Sequence, residues 1–172
     1  MEKGPTADPK VRKALIEAIN VDEMVAALYK YGEAQSAKLP LPPGSWGYDA
    51  GLEEKIPGYD PEDAKALLAE AGYGDGLTLD LYISDTEVRQ NMAVLVQAYW
   101  AQVGVTLNIH ANEWGTFSEV AMSNNADVFG MSWTWYPDPY FFLNKLFATE
   151  EFGGIGNGQH YSRAEVDDLL QK

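Results

Sequence analysis

Residues 77–133 switch repeatedly between two hydrophobic periods, and that alternation admits few folds. The segment "LTLDLYI" (77–83) puts Leu77, Leu79, Leu81 and Ile83 on one side of an extended chain, the period-2 pattern of a strand with one buried face. Val88, Met92, Leu95, Tyr99 and Val103 then recur at helical spacing up to Gly104. "VTLNIHA" (105–111) alternates again through Val105, Leu107, Ile109 and Ala111, "WGTFSEVAMSN" (114–124) reads as a short helix, and "ADVFGMSW" (126–133) as an apolar strand. Strands joined by helices of this length are parallel, with right-handed crossovers. The expected fold is α/β: a mostly parallel β-α-β-α-β sheet, strand order 2-1-3, flanked by helices.

The flanking helices announce their starts. Asp8-Pro9, Asp60-Pro61 and Asp138-Pro139 each set an N-cap oxygen before a proline already in helical φ, and each is followed by an apolar-periodic segment. The first leads into a pair of short helices, 9–19 and 21–30, with Asn20 and Glu23 opening the second as a capping box; Ser162 and Glu165 do the same for the last helix. Between the pair and Asp60, residues 38–60 hold four prolines and four glycines, so an extended surface strap is expected there. The last helix is still in register at Lys172, as in a chain cut short.

Composition narrows the function. The net charge of −14, with no Lys/Arg cluster to offset it, repels a phosphate backbone, so nucleic acid is not an expected partner. The absence of cysteine excludes disulfides and thiolate metal sites. His110 and His160 lie fifty residues apart in no ligand-like spacing, and "GGIGNG" (153–158) lacks the preceding strand and following helix of a phosphate cradle, so neither metal nor cofactor is expected.

In an open parallel sheet ligands bind beyond the carboxyl ends of the strands, where the strand order reverses. Those ends carry Ser84 and Asp85, then Glu113 and Trp114, then Trp133, Thr134, Trp135 and Tyr136. Each has a plainer reading. Ser84, Asp85 or Thr86 can cap the following helix, Trp114 can staple its own helix, Trp133 can end in the core, and Phe141 to Leu143 can simply pack. Trp135, between Thr134 and Tyr136-Pro137, is the residue most expected to be exposed, and Trp and Tyr with a polar edge are materials for stacking on flat ligands. Glu113 with Asp138 could instead form the acid pair of a carbohydrate-active enzyme, and a protein-interaction module is a third reading.

Seven segments, in order from residue 4 to 172, resemble the extracellular solute-binding proteins of family 5, the dipeptide-, oligopeptide-, nickel- and oligosaccharide-binding components of bacterial ABC importers. They are "DPKVRKALIEAINVDEMV", "PLPPGSWGYD", "YDPEDAKALLAEAGY", "MAVLVQAYWAQVGV", "NEW", "YPDPYFFLNKLF" and "YSRAEVDDLL". The resemblance implies a periplasmic-binding-protein type II-like lobe, residues 1–172 forming the carboxyl-terminal lobe of a two-lobe protein whose amino-terminal lobe is missing. It implies capture of a peptide or oligosaccharide by cleft closure, a membrane ABC permease as partner, no catalysis, and a periplasmic or extracellular, membrane-associated parent. Peptide-binding members carry an Asp for the ligand's ammonium in a W-x-x-D-Y-x-D-P pattern; this chain reads W-T-W-Y-P-D-P, with Trp135 in that Asp's place. The exchange of charge for ring tilts the expectation toward an oligosaccharide or another stacked ligand.

Overall fold

A computed structural model describes residues 3–134, 138–154 and 156–172. The expected helix pair is present as α1 (Pro9–Glu17) and α2 (Val21–Leu28), followed after the strap by α3 (Pro61–Glu70). Asp8 accepts a hydrogen bond from the Lys10 N–H, Asn20 from Glu23, and Asp60 from both Glu62 and Asp63, so each start is capped by the oxygen the sequence supplies. The strap is irregular apart from one 3₁₀ segment, Ala50–Lys55, capped by Asp49.

The sheet consists of β1 (Leu77–Ser84), β2 (Val105–Asn112) and β3 (Val128–Gly130), all parallel and ordered β2-β1-β3. Leu77 pairs with Val105 through to Ser84 with Asn112. This register brings Leu77, Leu79 and Leu81 beside Val105, Leu107 and Ile109 on one face. The connecting helices are α4 (Glu87–Ala101) and α5 (Trp114–Met122). The steps from β1 to β2 and from β2 to β3 run in opposite directions, so two right-handed crossovers place these helices on opposite faces. The main core lies on the α4 side, where Val11, Leu15, Ala64, Leu68, Ala93 and Trp100 pack on the strand leucines. On the other side Phe117 and Ala121 of α5 are buried, and the loop at Gly158 presses against the Ala121 carbonyl and the Phe129 ring.

The structure departs from the sequence expectation in three places. β3 is three residues long rather than the eight of 126–133, because only Val128 to Gly130 find ladder partners, on β1. One residue earlier the Asp127 carboxylate takes the place of a ladder carbonyl, accepting the Asp80 N–H at 3.0 Å, while its backbone carbonyl accepts Thr6 Oγ1 at 3.0 Å. On α4 the inward residues are Ala93 and Trp100, with Met92 and Val96 half-buried, whereas Val88 is 50% exposed. The final helices are α6 (Pro139–Phe147), capped by Asp138, and α7 (Ala164–Leu170), which Ser162 does not cap. The Ser162 hydroxyl instead meets Thr149 Oγ1 at 2.9 Å, and Thr149 also donates twice to the Asp167 carboxylate, so α7 starts later.

Candidate functional site

The carboxyl ends of β1 and β3 flank the point where the strand order reverses, and a cavity of about 240 Å³ opens there. Ile83 of β1, Arg89 and Met92 of α4, and Gly130, Met131 and Ser132 at and beyond the end of β3 line it. Gly130 fits because a Cβ at that position would approach Ile83 Cγ2 to 3.2 Å.

Ser84 is buried, and its hydroxyl accepts a hydrogen bond from the Arg89 guanidinium. Asp85 is exposed; its N–H continues the ladder to the Asn112 carbonyl at 2.7 Å and its carboxylate accepts the Gln90 amide. Thr86 occupies the N-cap position of α4 without a side-chain capping bond, so none of these three residues caps the helix with its side chain.

Glu113 is the N-cap of α5. It accepts from the Gly115 and Thr116 N–H groups at 2.9 and 2.6 Å, and these bonds, Gly115's foremost, hold its carboxyl below the usual glutamate range. Asp138 likewise accepts the Tyr140 N–H at 2.9 Å. The two carboxylates considered as an acid pair are each engaged at a helix start, and the lowered pKa of Glu113 makes it poorly suited to donate a proton. Trp114 follows Glu113 and is 51% exposed, its ring tilted 50° to that of Phe117 at a centroid distance of 5.7 Å. One face therefore packs as a staple while the remainder stays open. Trp133 is half-buried beyond the end of β3, and Thr134 is exposed. Trp135 and Tyr136 lie outside the described residues.

The two histidines are parts of separate stacks. His110 lies on Tyr82 at 4.6 Å with Nε2 2.8 Å from Asp80, a contact that is the main cause lowering the Asp80 pKa; His160 lies on Phe152 at 4.9 Å. Among the described residues no group of three or more His, Asp or Glu side chains could hold a metal ion. Nor is any helix among them long and apolar enough to cross a membrane.

Arg89 is the site residue that the sequence reading missed. A signal was present: Arg89, Met92, Ala93, Val96 and Trp100 follow the i, i+3, i+4, i+7, i+11 spacing of one helix face, with a single cation at its start. Choosing Val88 as the first apolar position turned that face outward.

A parallel sheet in the order 2-1-3, with its crevice at the reversal and helices on both faces, is the lobe architecture of the type II periplasmic binding proteins. The chain belongs to the bacterial extracellular solute-binding proteins of family 5: a model of that family, described as its Middle part, matches residues 1–154. It is 36% identical to the dipeptide-binding protein of Escherichia coli over 177 residues, covering 99% of this chain and 32% of the relative. Heme-binding protein A of Haemophilus influenzae is also 36% identical, with the same coverage. Among solved structures, the DppA periplasmic binding protein of Helicobacter pylori in complex with peptide STSA superposes with a TM-score of 0.88 at 32% identity, over 99% of this chain and 33% of that one. The dipeptide-binding protein of Pseudoalteromonas sp. SM9913 in complex with Met-Leu gives 0.84 at 33% identity, over 97% and 34%. The chain thus spans about a third of the length of the relatives it matches.

Proposed function

We propose that this chain is one lobe, the carboxyl-terminal one, of a two-lobe receptor that captures a peptide and delivers it to a membrane ABC permease, without catalysis. The companion amino-terminal lobe closes over the ligand, and the strand-end crevice between β1 and β3 forms this lobe's side of the cleft. A periplasmic or extracellular site of action accompanies that role. The observation that carries the reading is the likeness, along nearly the whole chain, to receptors solved with the peptides STSA and Met-Leu. Trp114 and Trp133 provide stacking surfaces at the rim, with Thr134 and Asp85 as polar contacts, Ser84 buried and bonded by Arg89, and Glu113 fixing the start of α5. Trp135 and Tyr136, next in the sequence, complete the proposed set of ligand contacts. None of the relatives named above is described as a sugar binder, so the weight falls on peptide rather than oligosaccharide.

Thermal-shift measurements on the full-length protein that carries this chain, against short peptides and an oligosaccharide panel, test the reading. Saturating peptide at about a hundred times Kd contributes ~2.7 kcal/mol and raises Tm measurably. Stabilisation by oligosaccharides alone would move the assignment to sugars; stabilisation by neither would end it.

A further inference from the structure

The glycine-rich segment "GGIGNG" (153–158) contains the one Asn-Gly pair of the sequence, Asn157-Gly158. Packing demands both residues. A Cβ at Gly158 would lie 2.5 Å from the Ala121 carbonyl oxygen and 3.4 Å from the Phe129 ring, so no larger residue fits against α5 and β3. Asn157 is alone among the buried polar side chains of the described residues in having no exposed surface. Its Nδ2 donates to the Ala148 carbonyl at 2.9 Å and to the Tyr161 carbonyl at 2.7 Å, while its Oδ1 accepts the Tyr161 N–H at 2.7 Å. One amide thus ties the end of α6 to the approach of α7. Around it Gln159 Nε2 donates to the Leu146 carbonyl at 2.6 Å, and His160 stacks on Phe152 at 4.9 Å.

Asn before Gly is a chemically weak point of any chain, because glycine has no side chain to shield its own nitrogen and bends freely. The Gly158 nitrogen can attack Asn157 Cγ and close a five-membered succinimide. Its proton leaves with Nδ2 as ammonia, and water then opens the ring at either carbonyl, giving Asp or its β-linked isomer. Nothing is oxidised or reduced, and water is the only co-reactant. The closed loop opposes the first step, because Nδ2 and Oδ1 are held by hydrogen bonds and Gly158 is pressed against Ala121. Local opening removes both restraints. The product no longer fits: a carboxylate cannot donate, so the Ala148 and Tyr161 carbonyls lose their partner and a charge enters a fully buried position.

We propose that Asn157 is a modification site: it deamidates when the loop between α6 and α7 opens, and the product then holds that loop open. Gly158 and Gln159 form one wall of a cavity of about 390 Å³ whose other walls include Leu15, Ile16 and Phe129, so the modified loop uncovers apolar surface there. A transient opening becomes a permanent one, and the extent of conversion records the age of the protein. No described residue of the loop lines the strand-end crevice, and the ligand plays no part.

Lys145 and Arg163 bound a single tryptic peptide, residues 146–163, in which Asn157 is the only Asn, so mass spectrometry reads the conversion directly. The full-length protein that carries this chain and the synthetic peptide 146–163 are aged side by side at mildly alkaline pH. The folded protein is expected to convert ~100-fold more slowly than the peptide, its three hydrogen bonds each contributing about a factor of five. In urea beyond the unfolding midpoint it should convert at the peptide's rate and give both acid isomers. Asn157→Asp, which makes one product directly, should be cut by chymotrypsin at Phe152 or Tyr161 at least ~10-fold faster than the unaltered protein. Equal rates in folded protein and peptide overturn the inference, as does a converted or Asn157→Asp protein that resists chymotrypsin as the unaltered one does. Absence of conversion in the unfolded protein overturns it as well. The aged protein needs no variant, so the test survives an Asn157→Asp chain that fails to fold.

Discussion

The indole N–H of Trp100 donates to the backbone carbonyl of Leu15 at 2.9 Å inside the core, and so closes the carboxyl end of α1 from another helix. The last carbonyls of a helix have no partner within it. Here the Ala18 N–H serves Ala14 and Ile16, the Asp60 N–H reaches the Glu17 carbonyl at 2.8 Å, and Leu15 is left to Trp100. One side chain of α4 and the last residue of the strap therefore determine where α1 ends. Trp100→Phe retains most of the ring but orphans a buried carbonyl, at a cost of about 1–3 kcal/mol. The midpoint of urea unfolding is expected to fall with the slope unchanged; an unaltered midpoint would show that water reaches Leu15.

Gln97 protects the outer edge of the sheet. The Leu77 N–H bonds the Gly104 carbonyl and the Asp85 N–H that of Asn112, so the even-numbered carbonyls of β2 face β1 and the Leu107 carbonyl faces the free edge. The Gln97 amide donates to it at 2.7 Å. Exposed edges template pairing with other chains, and covering one is a means of staying monomeric. Gln97→Leu should cost about 1 kcal/mol, lower Tm by roughly 2–4 °C and introduce concentration-dependent self-association. Analytical ultracentrifugation reads this directly, and an unchanged sedimentation profile would count against an edge-guarding role.

These features show what could be read from the sequence. Helix starts were legible because the Asp-Pro pairs act within three residues, and β1 and β2 because a strict period of two needs no distant information. β3 was over-extended because its length is set by its partner on β1, not by its own apolar run. The Ser162 cap that the local pattern predicts is absent because its competitor, Thr149, lies thirteen residues away. The face of α4 was misjudged for a related reason: Val88 and Arg89 are one step apart on the helix, and only the packing of Trp100 under α1 fixes the rotation. The reversal between β1 and β3 is legible in the sequence, whereas the place of Arg89 beside it depends on that same rotation of α4.

Glu17 gives the fold a pH signature. It is buried at the end of α1, where loss of water pushes its carboxyl above the ordinary value of 4.5, more than Lys13 draws it down, with the Asp63 carboxylate also raising it. A carboxyl raised in the folded state binds protons there that the unfolded chain has released, so its contribution to stability declines as pH rises from about 4.5 through the folded value. Glu17→Gln removes that decline. In urea unfolding from pH 4 to 8, the stability of the variant relative to the unaltered protein is expected to rise across this window and level off above it. A difference independent of pH would mean that Glu17 binds its proton equally well folded and unfolded, the attraction of Lys13 in the folded state offsetting the burial.

Trp114 sets the packing role of the rim against its proposed binding role. The ring rests on buried Phe117 but keeps half its surface in solvent, so Trp114→Ala should cost about 1 kcal/mol, far below the 3–5 kcal/mol of a fully buried Trp. If the exposed face stacks on the captured peptide, affinity should fall about tenfold, and Trp114→Phe, which restores an apolar ring, should recover much of it. The loss should also be equal for free acids and amides, because stacking does not sense terminal charge. A Trp114→Ala protein that binds as the unaltered one does would confine this residue to stapling α5.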